Sequence, residues 1–127
     1  MLSIPRSVRI YIAAAPTDMR RSIDGLKAMV TEELREDAYS GHLFVFLSRR
    51  ADRVKILTWD NGGFVLYYKR LERGRFLPLR VESGALAVEL SATQLLMLLD
   101  GIDLSRVRNP RHWKRPEACP MDNGAPT

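Results

Sequence analysis

Cysteine is nearly missing from this chain: Cys119 stands alone among 127 residues. A single thiol closes no internal disulfide, so the fold must rest on its packed core, and nothing points to a secreted scaffold. Histidine is almost as scarce. His42 reads as a turn residue and His112 as a tail residue, with no ligand spacing for zinc. Cys119, in a tail expected to be flexible, makes no credible Cys–His pair with either. No glycine-rich phosphate loop precedes a helix, and no Gly-x-Ser-x-Gly elbow occurs. The chain is therefore expected to carry no catalytic residue, metal site or cofactor. Long apolar runs are also missing: none nears the roughly 18 residues of a membrane span. The apolar residues 10–15 are too few for the core of a secretory leader, which takes about 7–15. A cytoplasmic protein with no membrane partner is the expectation.

What is present is a soluble composition, 46% hydrophobic and 28% charged, in a chain long enough for one domain. That domain is expected over residues 1–105, followed by a basic and then disordered tail over 106–127. The formal charge is +5, with a sequence pI near 9.8. The total conceals a segregated molecule. Arg49, Arg50, Arg53 and Lys55 form one basic window, and Lys69, Arg70, Arg73, Arg75 and Arg80 a second. Arg106, Arg108, Arg111, Lys114 and Arg115 form a third. With Asp52 and Glu72 as the acids among them, the windows carry +12 and the remainder −7. Positive charge concentrated in this way attracts polyanions whatever the average.

The β-branched, alternating residues 6–13 predict a first strand, broken by Ala14-Ala15-Pro16-Thr17-Asp18. A helix follows, with Thr17, Asp18 or Ser22 available as its cap and a buried stripe of Ile23, Leu26, Val30 and Leu34. Gly25 inside that helix suggests close packing against the sheet. Residues 43–47, 53–59 and 64–69 read as three strands of an antiparallel meander. Their loops are residues 48–52 and the turn Asp60-Asn61-Gly62-Gly63, where Asn-Gly signals a type I′ turn. A further strand or hairpin is expected within residues 79–90, with a turn at Ser83-Gly84. Ser91-Ala92-Thr93-Gln94 is a capping-box pattern for a second helix through the apolar residues 95–99, with Gly101 placed to end it.

If Asn61 and Gly62 are the central turn residues, the register follows. Trp59 faces Phe64, Leu57 faces Leu66, Lys55 faces Tyr68 and Arg53 faces Arg70, all on one side of the sheet. Thr58, Val65, Ile56, Tyr67, Val54 and Lys69 fall on the other side and read as core. Cations beside a ring on a strand surface suit nucleic acid, because cations neutralise phosphates while a ring stacks on a base. Trp59, Phe64, Leu57 and Leu66 read better as residues packed under a helix. The acids Glu32, Glu33, Glu36 and Asp37 of the first helix could instead pair with the cations. Asp18, Asp24 and Asp60 could in principle gather as metal-binding carboxylates of a nuclease, but read better as a cap, a helix-surface residue and a turn former.

Several blocks now occur in one order: Pro16-Thr17-Asp18-Met19-Arg20, Asp24-Gly25-Leu26, Ser40-Gly41-His42-Leu43-Phe44-Val45-Phe46, Lys55-Ile56-Leu57, Trp59-Asp60 and Gly63-Phe64. They are followed by Tyr68-Lys69-Arg70-Leu71-Glu72-Arg73-Gly74-Arg75-Phe76 and Leu99-Asp100-Gly101-Ile102-Asp103. Together they closely resemble the TnpB-type accessory protein, the second open reading frame, of the insertion sequence 66 family of bacterial transposable elements. The resemblance runs from about residue 4 to residue 104, and the tail after Arg106 departs from it. It implies a helper of transposition, with the catalytic carboxylates on a separate and much larger transposase. The RNA-guided nuclease that shares the TnpB name is a different, far larger protein.

The expected fold is a single α+β domain, an antiparallel sheet of about five strands with two packed helices. The expected function is a non-catalytic accessory factor binding element DNA. Arg49, Arg50, Arg53, Lys55, Lys69, Arg70, Arg73 and Arg75 would meet phosphates, and Tyr68 would stack. The alternative is a module that docks on the transposase of the same element without touching DNA, through the apolar helix at Leu95, Leu96, Met97, Leu98 and Leu99. A homo-oligomer is left open.

Overall fold

The run Leu43–Leu47 offers water no polar position, and the reason is a sheet covered on both faces. A computed structural model describes residues 7–76 and 84–100 of the chain. In chain order the elements are β1 (Ile10–Ala13), α1 (Ile23–Glu32), β2 (Leu43–Leu47), β3 (Arg53–Asp60), β4 (Gly63–Arg70), β5 (Ala87–Leu90) and α2 (Ala92–Leu99). They form an α+β domain with one five-stranded sheet in the order β4-β3-β2-β1-β5.

Three of the strand pairings are antiparallel, but β1 and β2 run parallel, with Tyr11 opposite Phe44. The sheet is therefore mixed where an antiparallel one was expected. The cause lies in the connection, since α1 carries the chain back to the start of the sheet before β2 begins, as a parallel pair requires. The carboxyl ends of β1 and β2 consequently open on the same end of the sheet as the β2–β3 loop.

Alternation along the strands divides the core in two. Phe44, Phe46 and Leu57 face α1 and pack with its Leu26, Met29 and Val30. Ile10, Ile12, Val45, Leu47, Val54 and Ile56 face the other way and pack with Leu95, Leu98 and Leu99 of α2. Leu26 and Val30 are buried as the helical spacing predicts, and Leu34 is buried just past the end of α1. The face assigned wholly to the core is buried at Val54 and Ile56. At Val65 and Tyr67, on the edge strand β4, it is exposed. Gly25 does not meet the sheet; a methyl group there would lie 3.2 Å from the Arg21 side chain.

Local chemistry sets the boundaries. Asn61 (φ 47°) and Gly62 (φ 90°) take the left-handed conformations of the tight turn, and the β3–β4 register is the one that turn dictates. Ser91 accepts from the Gln94 N–H while the Gln94 side chain accepts from the Ser91 N–H, which starts α2. At α1 the backbone of Ser22 stands at the cap position, but no side chain caps the helix. The first strand starts at Ile10, later than expected. The features expected at residues 77–83, at Gly101 and in the tail lie outside the described residues.

Candidate nucleic-acid interface

Arginine meets arginine where the central hairpin ends: Arg53 on β3 lies opposite Arg70 on β4. From there the chain doubles back. The Leu71 N–H donates to the Asp52 carbonyl and the Phe76 N–H to the Ala51 carbonyl, at 2.8 and 2.6 Å. These two bonds, with the fully buried Phe76 ring as anchor, bind the segment after β4 to the loop before β3. Arg73 and Arg75 sit between the anchors and are exposed, as are Arg49 and Arg50 on the loop to which the anchors bind; Arg53 is half-buried. The β2–β3 loop is itself constrained. Ser48 Oγ donates to Asp52 and accepts from the Arg53 N–H, and Ala51 turns the chain at φ 59°.

The lysines of the two windows are placed differently. Lys55 is 7% exposed, and its ammonium donates to the carbonyls of Met19 (2.8 Å) and Arg21 (2.7 Å) beneath the Tyr68 ring. Lys69 donates to the carbonyl of Leu99 at 2.6 Å, at the end of α2, where a cation complements the helix dipole. Both were expected at phosphates, yet their donors are directed to backbone carbonyls. Tyr68 remains half-exposed on the edge strand. Arg80 and the third basic window lie outside the described residues.

The acids Glu32, Glu33, Glu36 and Asp37 form no ion pair with the arginines among the described residues, where the pairs are Arg9–Glu89, Arg20–Asp18 and Arg70–Glu72. Arg49, Arg50, Arg53, Arg73 and Arg75 thus meet no carboxylate there. At the opposite end of the sheet Trp59, Phe64 and Tyr39 pack ring against ring, with centroids 5.0–5.1 Å apart, and Lys27 lies over two of them. Trp59 and Phe64 are occupied in packing, as read from the sequence.

A cleft of about 710 Å³ opens at the basic end, between residues 16–20 after β1 and residues 48–53 after β2. Its walls are held from several directions. The Thr17 N–H donates to the Leu47 carbonyl, Lys55 grips the carbonyls of Met19 and Arg21, and Arg20 closes on Asp18. Side-chain and backbone hydrogen bonds from Arg20 hold the Asp18 carboxyl well below its ordinary 3.8, at about 2. Asp18 is thus a partner of Arg20 rather than a helix cap. Thr17 is 5% exposed, and its hydroxyl has no hydrogen-bond partner among the described residues. Sequence reasoning gave Thr17 and Arg20 no part in a binding site.

Among the described residues no group of three or more His, Cys, Asp or Glu could hold a metal ion, and Asp18, Asp24 and Asp60 do not converge. No helix there is long and apolar enough to cross a membrane. The comparison that decides the family is a match of residues 8–109 to the family described as IS66 Orf2 like protein. The chain belongs to the IS66 Orf2-like family. Two relatives from Sinorhizobium fredii, named uncharacterized protein y4jC and uncharacterized protein y4hO, are 39% and 40% identical to it. Each alignment spans 116 residues, 91% of this chain and 97% or 96% of the relative. No solved structure matches the chain. Membership in the IS66 Orf2-like family gives the protein an accessory role associated with transposition.

Proposed function

We propose that this IS66 Orf2-like protein is a non-catalytic accessory factor that holds element DNA through the basic end of its sheet. One observation carries the reading: Arg49, Arg50, Arg53, Arg73 and Arg75 lie on two segments hydrogen-bonded to one another and meet no carboxylate among the described residues. Arg70 joins them at the end of β4, with Glu72 as a loose partner at 3.4 Å. Tyr68, half-exposed on the edge strand, supplies a ring for a base. Six arginines on six phosphates give log K a slope of about −5 against log salt on duplex DNA. An electrophoretic shift series across salt concentrations tests this. Each Arg→Ala substitution in the set should flatten the slope by about one unit. A folded sample that binds no nucleic acid at about 50 mM salt overturns it.

A second reading, docking on the transposase of the same element, draws on Leu96. It is 46% exposed on a helix whose Leu95, Leu98 and Leu99 are buried. A transposase complex that survives nuclease and is lost on Leu96→Glu supports this reading; a complex that nuclease dissolves supports the first.

A further inference from the structure

We infer that the cleft between residues 16–20 and 48–53 is a site for a phosphomonoester dianion, carried by a mononucleotide or by the phosphorylated end of a strand. The inference rests on reading this end of the sheet as phosphate-binding, and narrows that reading to one site and one kind of phosphate.

Charge selects the ligand class. Asp18 and Arg20, both on the cleft wall, neutralise one another through a two-pronged pair with contacts of 2.8–3.1 Å. Asp52 remains, against Arg49, Arg50 and Arg53. The cleft therefore presents a net +2. An internal phosphodiester brings a single negative charge, whereas a phosphomonoester brings about −1.5 to −2 at neutral pH and three acceptor oxygens. Guanidinium forks suit such a group. At about 710 Å³ the cleft lies within the ordinary range for small-molecule sites, with room for the attached nucleoside.

Architecture supplies the second support. The cleft lies outside the carboxyl ends of β1 and β2, the one parallel pair of the described sheet, and it is the carboxyl end of parallel strands that holds the ligand in open α/β sheets. Its wall is fixed beforehand by Lys55 and by the Thr17–Leu47 bond, so little ordering remains for the ligand to impose. The Thr17 hydroxyl is the third support. It is buried in that wall without a partner among the described residues, although buried hydroxyls are normally hydrogen-bonded. Rotation of the Thr17 side chain toward the cleft, with the wall backbone unmoved, gives the hydroxyl a phosphoryl oxygen as partner.

The test uses the full chain and amide-resolved NMR with adenosine 5′-monophosphate, and adenosine as the uncharged control. The nucleotide should shift the amides of Thr17, Arg49, Arg50 and Arg53, and adenosine should not. Affinity should rise as pH passes upward through about 6, where the second phosphate proton leaves. Thr17→Val should weaken binding about fivefold or more with no fall in melting temperature, because the lost hydroxyl has no partner among the described residues of the free protein. Arg53→Gln should weaken it at least as much. A single-stranded oligonucleotide with a 5′-phosphate should bind more tightly than the same strand with a 5′-hydroxyl. Equal binding of both strands, together with no nucleotide shift, overturns the site and leaves the nucleic-acid reading standing. Nucleotide binding without binding of either strand or of duplex DNA supports the site and overturns that reading. No binding of the nucleotide, of either strand or of duplex DNA at about 50 mM salt overturns both.

Discussion

Replacing Lys55 by methionine separates a lysine that holds the fold from one that holds a phosphate. The ammonium donates to two carbonyls at 2.8 and 2.7 Å and lies 4.9 Å from the centre of the Tyr68 ring. Two charge-assisted hydrogen bonds are worth about 3–6 kcal/mol together, and the ring contact adds about 1 kcal/mol. Against this, methionine fills much of the same volume and removes a cation that was kept from water, which returns several kcal/mol. The net expectation is a loss of about 2–4 kcal/mol, or roughly 10–20 °C in melting temperature for a domain of this size. The assay pairs thermal unfolding with the salt dependence of DNA binding. A lysine committed to the Met19 and Arg21 carbonyls leaves the salt slope of the folded variant unchanged. A slope flattened by about one unit with no change in melting temperature would show Lys55 on a phosphate and refute the assignment.

The Asp18 carboxyl, depressed to about 2 by Arg20, contributes its hold on the cleft wall fully above about pH 4 and loses it as pH falls toward 2. Carboxyl-carbon NMR should show that titration, and Arg20→Gln should return it toward 3.8; an Asp18 indifferent to the change would exclude the pair. Gly62→Ala should destabilise by about 1–2 kcal/mol in denaturant unfolding although nothing lies within 4 Å of the added methyl, because φ there is +90°. Phe76→Ala should lose about 3–5 kcal/mol and raise hydrogen exchange at the Leu71 and Phe76 amides, which join the two arginine segments.

The hairpin was the most legible part of the fold. Asn61-Gly62 admits one tight turn, and that turn sets every pairing from Trp59–Phe64 to Arg53–Arg70. The stripe of α1 and the capping box of α2 were legible for the same reason, since each is written within a few residues. The parallel pairing of β1 with β2 was not. It depends on where α1 delivers the chain, and a short apolar run such as Leu43–Leu47 has no local mark of direction. The cleft was hidden with it, because Thr17 and Ser48 become neighbours only once the two strand ends lie side by side. Burial of Lys55 was hidden too, since a lysine facing Tyr68 across a hairpin reads equally well as exposed or as covered by a chain segment 34 residues away.

Once the side chains are placed, the basic windows divide by residue type. Lys55 and Lys69 direct their ammonium groups to backbone carbonyls, of Met19 and Arg21 in one case and Leu99 in the other. None of the six guanidinium groups in residues 49–75 donates to a backbone carbonyl among the described residues; that of Arg70 alone has a side-chain partner, Glu72. The difference follows from the groups themselves. An ammonium is a compact charge on a flexible stem that two carbonyls can satisfy, so it fits at a crossing of chain segments. A guanidinium spreads five donors over a plane that two carbonyls leave partly unpaired, and phosphate oxygens match its fork. Arginine to lysine at Arg49, Arg50 or Arg53 should therefore keep the charge and lose the two-pronged grip, whereas Lys55→Arg would force a planar group into a space shaped for a point charge.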